Sequence, residues 1–315
     1  MKALVTGANG FVGLAVLQRL SAMSGVQAIG SVRRADACTN TGTPVAIVGD
    51  LTAQTDWSLA LIGCDVIVHA AARVHVMHDT EADPLMAFRA VNVEGTVNLA
   101  RQAAAAGVKR FVFISSVKVN GEGTLPGRAF TQSDKPDPQD AYGVSKLEAE
   151  QALRQLAAET GMDVVIIRPP LVYGPGVKAN FAALTRAAQR GLPLPLGAVH
   201  NQRSLVALDN LVDFIVTCIT HPKAANQTFL VSDGQDLSTT ELVRGMARAA
   251  GVSARLLPVP VWALQAAGNL LGKGDAVQRL CGNLQVDISK ARELLGWVPV
   301  VSVEEGLRRA MGGGR

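Results

Sequence analysis

The sequence predicts an α/β fold: a doubly wound parallel sheet with helices on both faces, followed by a smaller, discontinuous C-terminal domain. Three observations carry this reading. Short β-branched runs alternate with helical stretches through the first half of the chain. The runs are continuously apolar, so both of their faces must be covered, as they are in a parallel sheet flanked by helices. After Arg168 the pattern breaks: Pro169, Pro170, Pro175, Pro193 and Pro195 interrupt it with loops.

Taken in order, strands are expected at residues 3–6, 27–31, 45–48, 66–69, 111–115 and 164–168. Helices are expected near 11–22, 57–62, 84–106 and 142–160, with later ones at 180–190 and 239–250. A further strand at 227–231 should return to the main sheet. The first domain is therefore expected to comprise 1–167 and 207–232, and the second 168–206 and 233–315.

Composition bounds the function. Of 315 residues 48% are hydrophobic and 18% charged, which describes a compact globular chain rather than a disordered one. A net charge of +4 suits anionic small molecules, and without a basic run or stripe it argues against nucleic acid. Cys38, Cys64, Cys218 and Cys281 match no metal or redox spacing, so they read as reduced thiols of a cytoplasmic protein. A strand begins within two residues of the N-terminus, which leaves no room for a signal peptide. The apolar stretch 256–271 is too short and too broken by proline and glycine to span a bilayer; a buried helix is expected there, with an interfacial helix as the lesser alternative. His75 and His78 have no third ligand at a recognisable spacing, so no metal site is expected.

Gly7-Ala-Asn9-Gly10-Phe11-Val12-Gly13 directly follows the first strand and opens a helix. Glycine permits the tight turn and lets backbone N–H groups approach a pyrophosphate, whose charge is favoured at the helix N-terminus. This is the dinucleotide-binding turn of a Rossmann domain. At the end of the second strand Arg33 and Arg34 stand where a 2′-hydroxyl is normally held by a carboxylate, and the first acid is Asp36. The arginine forks suit a 2′-phosphate, so NADP(H) is preferred over NAD(H). Tyr142 and Lys146 lie one turn apart at the start of a helix and project from one face. A phenol is a poor acid–base at neutral pH unless a nearby cation stabilises its phenolate.

The glycine spacing together with Tyr142-Gly-Val-Ser-Lys146 resembles the extended short-chain dehydrogenase/reductase family, also called the NAD-dependent epimerase/dehydratase family, over nearly the whole chain. The resemblance implies several further roles. Asp50 and Leu51 would contact the adenine, while the segment His69-Ala70-Ala71-Ala72 and Pro169 would lie along the cofactor. Ser116, with Ser115 as the fallback, would hold the substrate oxygen. Asn120 stands where the family often has tyrosine. Asn180, Arg203 and Arg279 would hold a nucleotide-sugar diphosphate. Dehydratases of the family carry Asp-Glu just after the hydroxyl residue, where this chain has Val117 and Lys118, so redox chemistry at one carbon is expected.

At finer grain the segments 115–122, 136–146 and 191–197 resemble bacterial O-antigen enzymes of surface polysaccharide synthesis. Those reduce UDP-4-keto-6-deoxy-N-acetylglucosamine to UDP-N-acetylquinovosamine or UDP-N-acetylfucosamine. An NADPH-dependent 4-ketoreductase is thus the first expectation and a UDP-sugar 4-epimerase the second. A non-catalytic NADP-sensing regulator is disfavoured because the tyrosine–lysine pair is kept. The two helices at 84–106 and 142–160 have apolar or small residues on more than one side, among them Val91, Val93, Val97, Leu99, Leu147, Leu153 and Leu156. One face should cover the sheet and the other should join a partner's pair in a homodimer.

Overall fold

The computed structural model describes residues 1–35, 42–74, 83–177 and 179–312, with only the backbone of Ala179 and Asn180. Asp36, Cys38, His75 and His78 lie outside the described residues. Through the first half the elements are β1 (Lys2–Thr6), α1 (Phe11–Ser21), β2 (Gln27–Val32), β3 (Val45–Ile47), α2 (Ser58–Leu61), β4 (Val66–His69), α3 (Pro84–Arg89), α4 (Thr96–Ala105), β5 (Arg110–Ile114), α5 (Ala141–Thr160) and β6 (Asp163–Arg168). There follow β7 (Leu171–Tyr173), α6 (Ala179–Gln189), β8 (Leu205–Ala207), α7 (Leu208–Thr220), β9 (Thr228–Leu230), α8 (Thr239–Ala249), α9 (Val261–Leu270), α10 (Gly274–Cys281), α11 (Ser289–Leu295) and α12 (Val303–Ala310).

The main sheet is parallel throughout, in the order β3-β2-β1-β4-β5-β6-β9. The order reverses between β1 and β4, and ligands of such sheets bind in the crevice outside the carboxyl ends of the strands at that point. Burial on both faces follows from alternation along each strand. Leu4 and Val5, neighbours in β1, are both fully buried yet join different core clusters. One cluster packs α1 and α7 on the sheet through Leu17, Leu211 and Phe214. The other packs α4 and α5 through Leu99, Leu153 and Leu156. A third gathers Tyr173, Phe181, Val199, Met246 and Leu307 around the two-stranded parallel pair β7–β8.

Three local features depart from the sequence reading. The helix expected across 84–106 is interrupted by a π-helical turn, Ala90–Gly95, between α3 and α4. There the helix closes on the chain after β3: a Cβ on Gly95 would lie 2.7 Å from Leu51 Cγ. Helix α7 was not expected, although its buried Leu208, Leu211, Val212, Ile215 and Ile219 follow helical spacing. The stretch 256–271 is not a buried helix. Within α9 only Gly268 is buried, while Trp262 is 72% and Leu270 88% exposed. Among the described residues no helix is long and apolar enough to cross a membrane.

Candidate active site

β1 ends at Thr6, and Gly7 turns the chain with φ +66°, a left-handed conformation that glycine adopts without strain. The Gly10 amide donates to the Gly7 carbonyl at 2.8 Å, and α1 starts at the next residue. A Cβ on Gly13 would lie 2.2 Å from the Gly7 oxygen, and one on Gly7 would lie 2.9 Å from the backbone of Ala71. The turn therefore closes both on α1 and on the segment after β4. No side chain caps α1, so the first-turn N–H groups of Phe11, Val12 and Gly13 remain available to an anion. Ala70, Ala71 and Ala72 are half-buried beside this turn.

The ring of His69, first residue of the segment expected along the cofactor, is fully buried. It bridges Thr6 Oγ1 at 2.7 Å and Thr96 Oγ1 at 2.9 Å, and stacks on Phe113. Thr6 Oγ1 also accepts from the Ala71 amide at 3.2 Å. Burial, with help from the Lys146 charge, pushes His69 down to about 3, so the imidazole is neutral and acts as a structural bridge. At the other end of the crevice Arg33 lies 3.7 Å from Asp50, both largely exposed. The residue expected at the adenine is thus close to one of the arginines expected at a 2′-phosphate.

Tyr142 and Lys146 sit in the first two turns of α5. Asp140 caps that helix by accepting from the Gly143 amide at 2.7 Å, and also pairs with Lys118. Tyr142 is half-buried and packs edge-on against Phe88. Burial, and then the Asp140 carboxylate, hold its phenol above the ordinary tyrosine value. Lys146 is buried, with Nζ 4.2 Å from the Phe113 ring centroid. Burial pushes it down to about 7, offset in part by Glu150. In the chain without a dinucleotide, the phenol's pKa is raised rather than lowered. Desolvation acts on both groups, disfavouring the phenolate and the ammonium alike.

The two serines after β5 separate clearly. Ser115 is buried and donates to Glu150 at 2.6 Å, inside an ion-pair network. Arg168 donates to both Glu150 oxygens, at 2.9 and 2.6 Å, and to Asn120 Oδ1 at 3.0 Å. Asn120 in turn donates to the Thr131 carbonyl at 2.9 Å. The position where the family often has tyrosine is therefore a buried strut in this chain. Ser116 is half-buried, and its hydroxyl accepts from the Lys118 amide at 3.2 Å. Of the two, Ser116 is the one not committed to the core. Pro169, whose carbonyl accepts from the Val117 amide at 3.0 Å, joins the end of β6 to this same turn.

Asn92 belongs to none of the sequence motifs. It is buried in the π-helical turn, where it accepts from the Arg73 amide at 2.8 Å and donates to the Arg73 carbonyl and Ser145 Oγ, both at 3.0 Å. Ser145 donates to the Tyr142 carbonyl at 2.8 Å, so Asn92 ties the Tyr142–Lys146 turn to the chain after β4. An amide inside a largely apolar helix was the available signal. Its burial could not be read without the helix register.

On the substrate side, Arg203 is half-buried and donates to the Gly282 carbonyl at 3.1 Å, just beyond α10. Burial lowers its pKa, against the pull of Glu122. Arg279, on α10, is exposed. The Asn180 side chain lies outside the described residues. Among the described residues no cluster of His, Cys, Asp or Glu could hold a metal ion.

Fold and site together define a dinucleotide-binding enzyme of the Rossmann type, with a tyrosine–lysine pair at the carboxyl edge of its sheet. The chain belongs to the NAD dependent epimerase/dehydratase family, whose model matches residues 3–232. It is 54% identical over 307 residues to a UDP-glucose 4-epimerase of Vibrio cholerae, covering 97% of this chain and 93% of that one. It is 27% identical to an N-acetyl-alpha-D-glucosaminyl-diphospho-ditrans,octacis-undecaprenol 4-epimerase of Escherichia coli O157:H7, covering 98% of this chain and 93% of that one. Among solved structures it resembles the UDP-glucuronic acid 4-epimerase of Bacillus cereus in complex with NAD. That likeness has a TM-score of 0.78 at 22% identity and covers 99% of this chain and 98% of the other, which speaks to fold.

Proposed function

We propose that this enzyme is a UDP-sugar 4-epimerase that inverts one carbinol carbon by oxidising and re-reducing it on resident NAD. The observation that carries this reading is the 54% identity, end to end, with the Vibrio cholerae UDP-glucose 4-epimerase. The site supports it. Val117 is buried and Lys118 is paired with Asp140 and Glu122, so the positions after Ser116 offer no acid–base pair for dehydration across two carbons.

The glycine turn fits a dinucleotide: Gly7 and Gly13 leave no room for a Cβ, and the uncapped N-terminus of α1 faces where a pyrophosphate would lie. When bound, the dinucleotide supplies the two-electron acceptor that is reduced and reoxidised within one turnover. Tyr142 takes the proton of the C4 hydroxyl during oxidation and returns one to the re-reduced carbon's oxygen. Ser116 donates a hydrogen bond to that oxygen and holds it. Lys146 would reach the ribose of a bound dinucleotide and, once protonated, stabilises the phenolate of Tyr142. Arg203, Arg279 and Asn180 hold the diphosphate, on a substrate domain formed by 168–206 and 233–315. Two copies pair through the half-buried Val93, Val97 and Leu147, because Leu99, Leu153 and Leu156 are used in the chain's own core.

A second reading, the NADPH-dependent 4-ketoreductase of surface polysaccharide synthesis, is favoured by Arg33 and Arg34 at the end of β2. Against it, Asp50 stands 3.7 Å from Arg33, where its carboxylate would oppose a 2′-phosphate. The test is to incubate the purified enzyme, without added cofactor, with UDP-glucose and with UDP-N-acetylglucosamine, and to resolve the products by anion-exchange chromatography. Formation of the C4 epimer, together with NAD released on denaturation, supports the epimerase. No epimer, with NADPH consumed on UDP-4-keto-6-deoxy-N-acetylglucosamine, would replace it with the ketoreductase.

A further inference from the structure

Helices α9 and α10 form a hairpin whose outer surface does not suit water. Helix α9, Val261–Leu270, carries no charged residue. Trp262, Ala266 and Leu270 recur at i, i+4 and i+8 and are all exposed, beside the exposed but uncharged Gln265 and Asn269, whereas a solvent-facing helical stripe ordinarily carries charge. Val261 and Leu264 turn the opposite way, against the third core cluster. The hairpin tip is more apolar still: Leu270 is 88% and Leu271 69% exposed, and Leu257 at the base is 52% exposed.

The hairpin is also closely packed. A Cβ on Gly268 would lie 2.5 Å from Val277 Cγ2, so the two helices meet closely there. The Lys273 amide closes the turn on the Gly268 carbonyl at 2.7 Å. The leucines are therefore presented at a hydrogen-bonded turn between two closely packed helices.

The charges around this surface select the occupant. Arg279 aside, which the substrate diphosphate takes, the charged residues from 253 to 282 are Arg255, Lys273 and Asp275, all exposed: two cations to one anion. A second copy meeting the same surface would set two faces of like net charge against each other, which disfavours that pairing. An anionic bilayer instead neutralises the cations while burying the tip, and tryptophan favours the boundary between headgroups and acyl chains.

We propose that the α9–α10 hairpin docks this enzyme on an anionic membrane surface, with Trp262, Leu270 and Leu271 in the interface and Arg255 and Lys273 against lipid phosphates. The enzyme lies on the membrane rather than spanning it. The contact is independent of which sugar nucleotide is turned over.

The test uses the full chain with two kinds of vesicle, phosphatidylglycerol mixed with phosphatidylethanolamine, and phosphatidylcholine alone. Binding is read by co-sedimentation and by tryptophan emission. Trp57 and Trp297 are buried at 2% and 4% exposure, so a vesicle-induced blue shift reports Trp262. Binding to the anionic vesicles should exceed binding to the neutral ones by roughly tenfold or more, and should weaken near 1 M salt, where the Debye length is about 3 Å. The Leu270→Glu/Leu271→Glu variant should keep wild-type turnover of a soluble UDP-sugar and lose the blue shift and at least tenfold in binding. Lys273→Glu should weaken binding to the anionic vesicles alone. Absence of wild-type binding to anionic vesicles overturns the proposal, as does binding unchanged in the double-leucine variant. A dimer that becomes monomeric in that variant, with no vesicle binding by the wild type, would assign the surface to a second copy instead.

Discussion

Burial of the Lys146 ammonium should destabilise the cofactor-free fold, and replacing it with methionine should reveal this. Its pKa falls from 10.5 to about 7 on burial. At 1.36 kcal/mol per pH unit, that drop corresponds to a cost of about 5 kcal/mol at neutral pH and below. Methionine is close in length and needs no desolvation of charge, but it gives up the contact of the ammonium with the Phe113 ring, worth about 2 kcal/mol when desolvated. The net expectation is a Lys146→Met protein about 3 kcal/mol more stable than the wild type below pH 7, melting on the order of 5 °C higher. The pH dependence has a definite sign. Below the folded value both states bind the proton and the full penalty applies. Between about 7 and 10.5 the unfolded chain binds more protons, so wild-type stability rises with pH. Above that window the penalty is gone. Thermal melts of cofactor-stripped wild type and Lys146→Met at pH 6 and pH 9.5 test this, with turnover measured alongside. A variant less stable than wild type at pH 6, or a gap that does not narrow by pH 9.5, would refute the reasoning. Turnover should be nearly abolished in either case.

Three further outcomes are expected. Tyr142→Phe should keep the fold and lose about 10²–10⁴-fold in kcat with little change in KM, because the hydroxyl acts in proton transfer; steady-state kinetics check this, and near-wild-type kcat would exclude Tyr142 as the acid–base. Gly13→Ala places a Cβ 2.2 Å from a backbone oxygen that cannot rotate away. Dinucleotide affinity should fall by on the order of 100-fold, about 2.7 kcal/mol, and a fluorescence titration showing less than a fewfold loss would contradict the cradle. Glu150→Gln leaves the Arg168 guanidinium buried opposite a neutral amide, with an expected loss of about 3–5 kcal/mol in urea unfolding. Glu150→Leu with Arg168→Met should recover much of that, and equal damage in both would argue against the ion pair as the cause.

Much of the fold was legible because its signals are local. Each strand of the sheet occurs within a residue or so of where its apolar run stands, and the return of β9 was visible in the run at 227–231. The glycine turn and the Tyr142–Lys146 pair were equally plain, because their chemistry demands fixed spacing along a single segment. The correction at α9 has a physical origin: apolar composition says that a helix should be covered, but not that this chain covers it. The π-helical turn at Ala90–Gly95 was hidden for a related reason, since it depends on how closely Gly95 approaches Leu51, on a different segment.

By itself the sequence determined the alternation that builds the sheet, the glycine turn between the first strand and the first helix, and the Tyr142–Lys146 pair in the opening turns of α5. Tertiary structure decided what each polar group near that turn and pair is for. It gave Ser115, Asn120, Glu150 and Arg168 to one buried network and left Ser116 outside it. It made His69 a neutral bridge and set Lys146 near neutrality. Those roles depend on desolvation and on partners tens of residues away in the chain. Neither is recorded in the spacing of residues along a segment, and both exist only once the segments are packed.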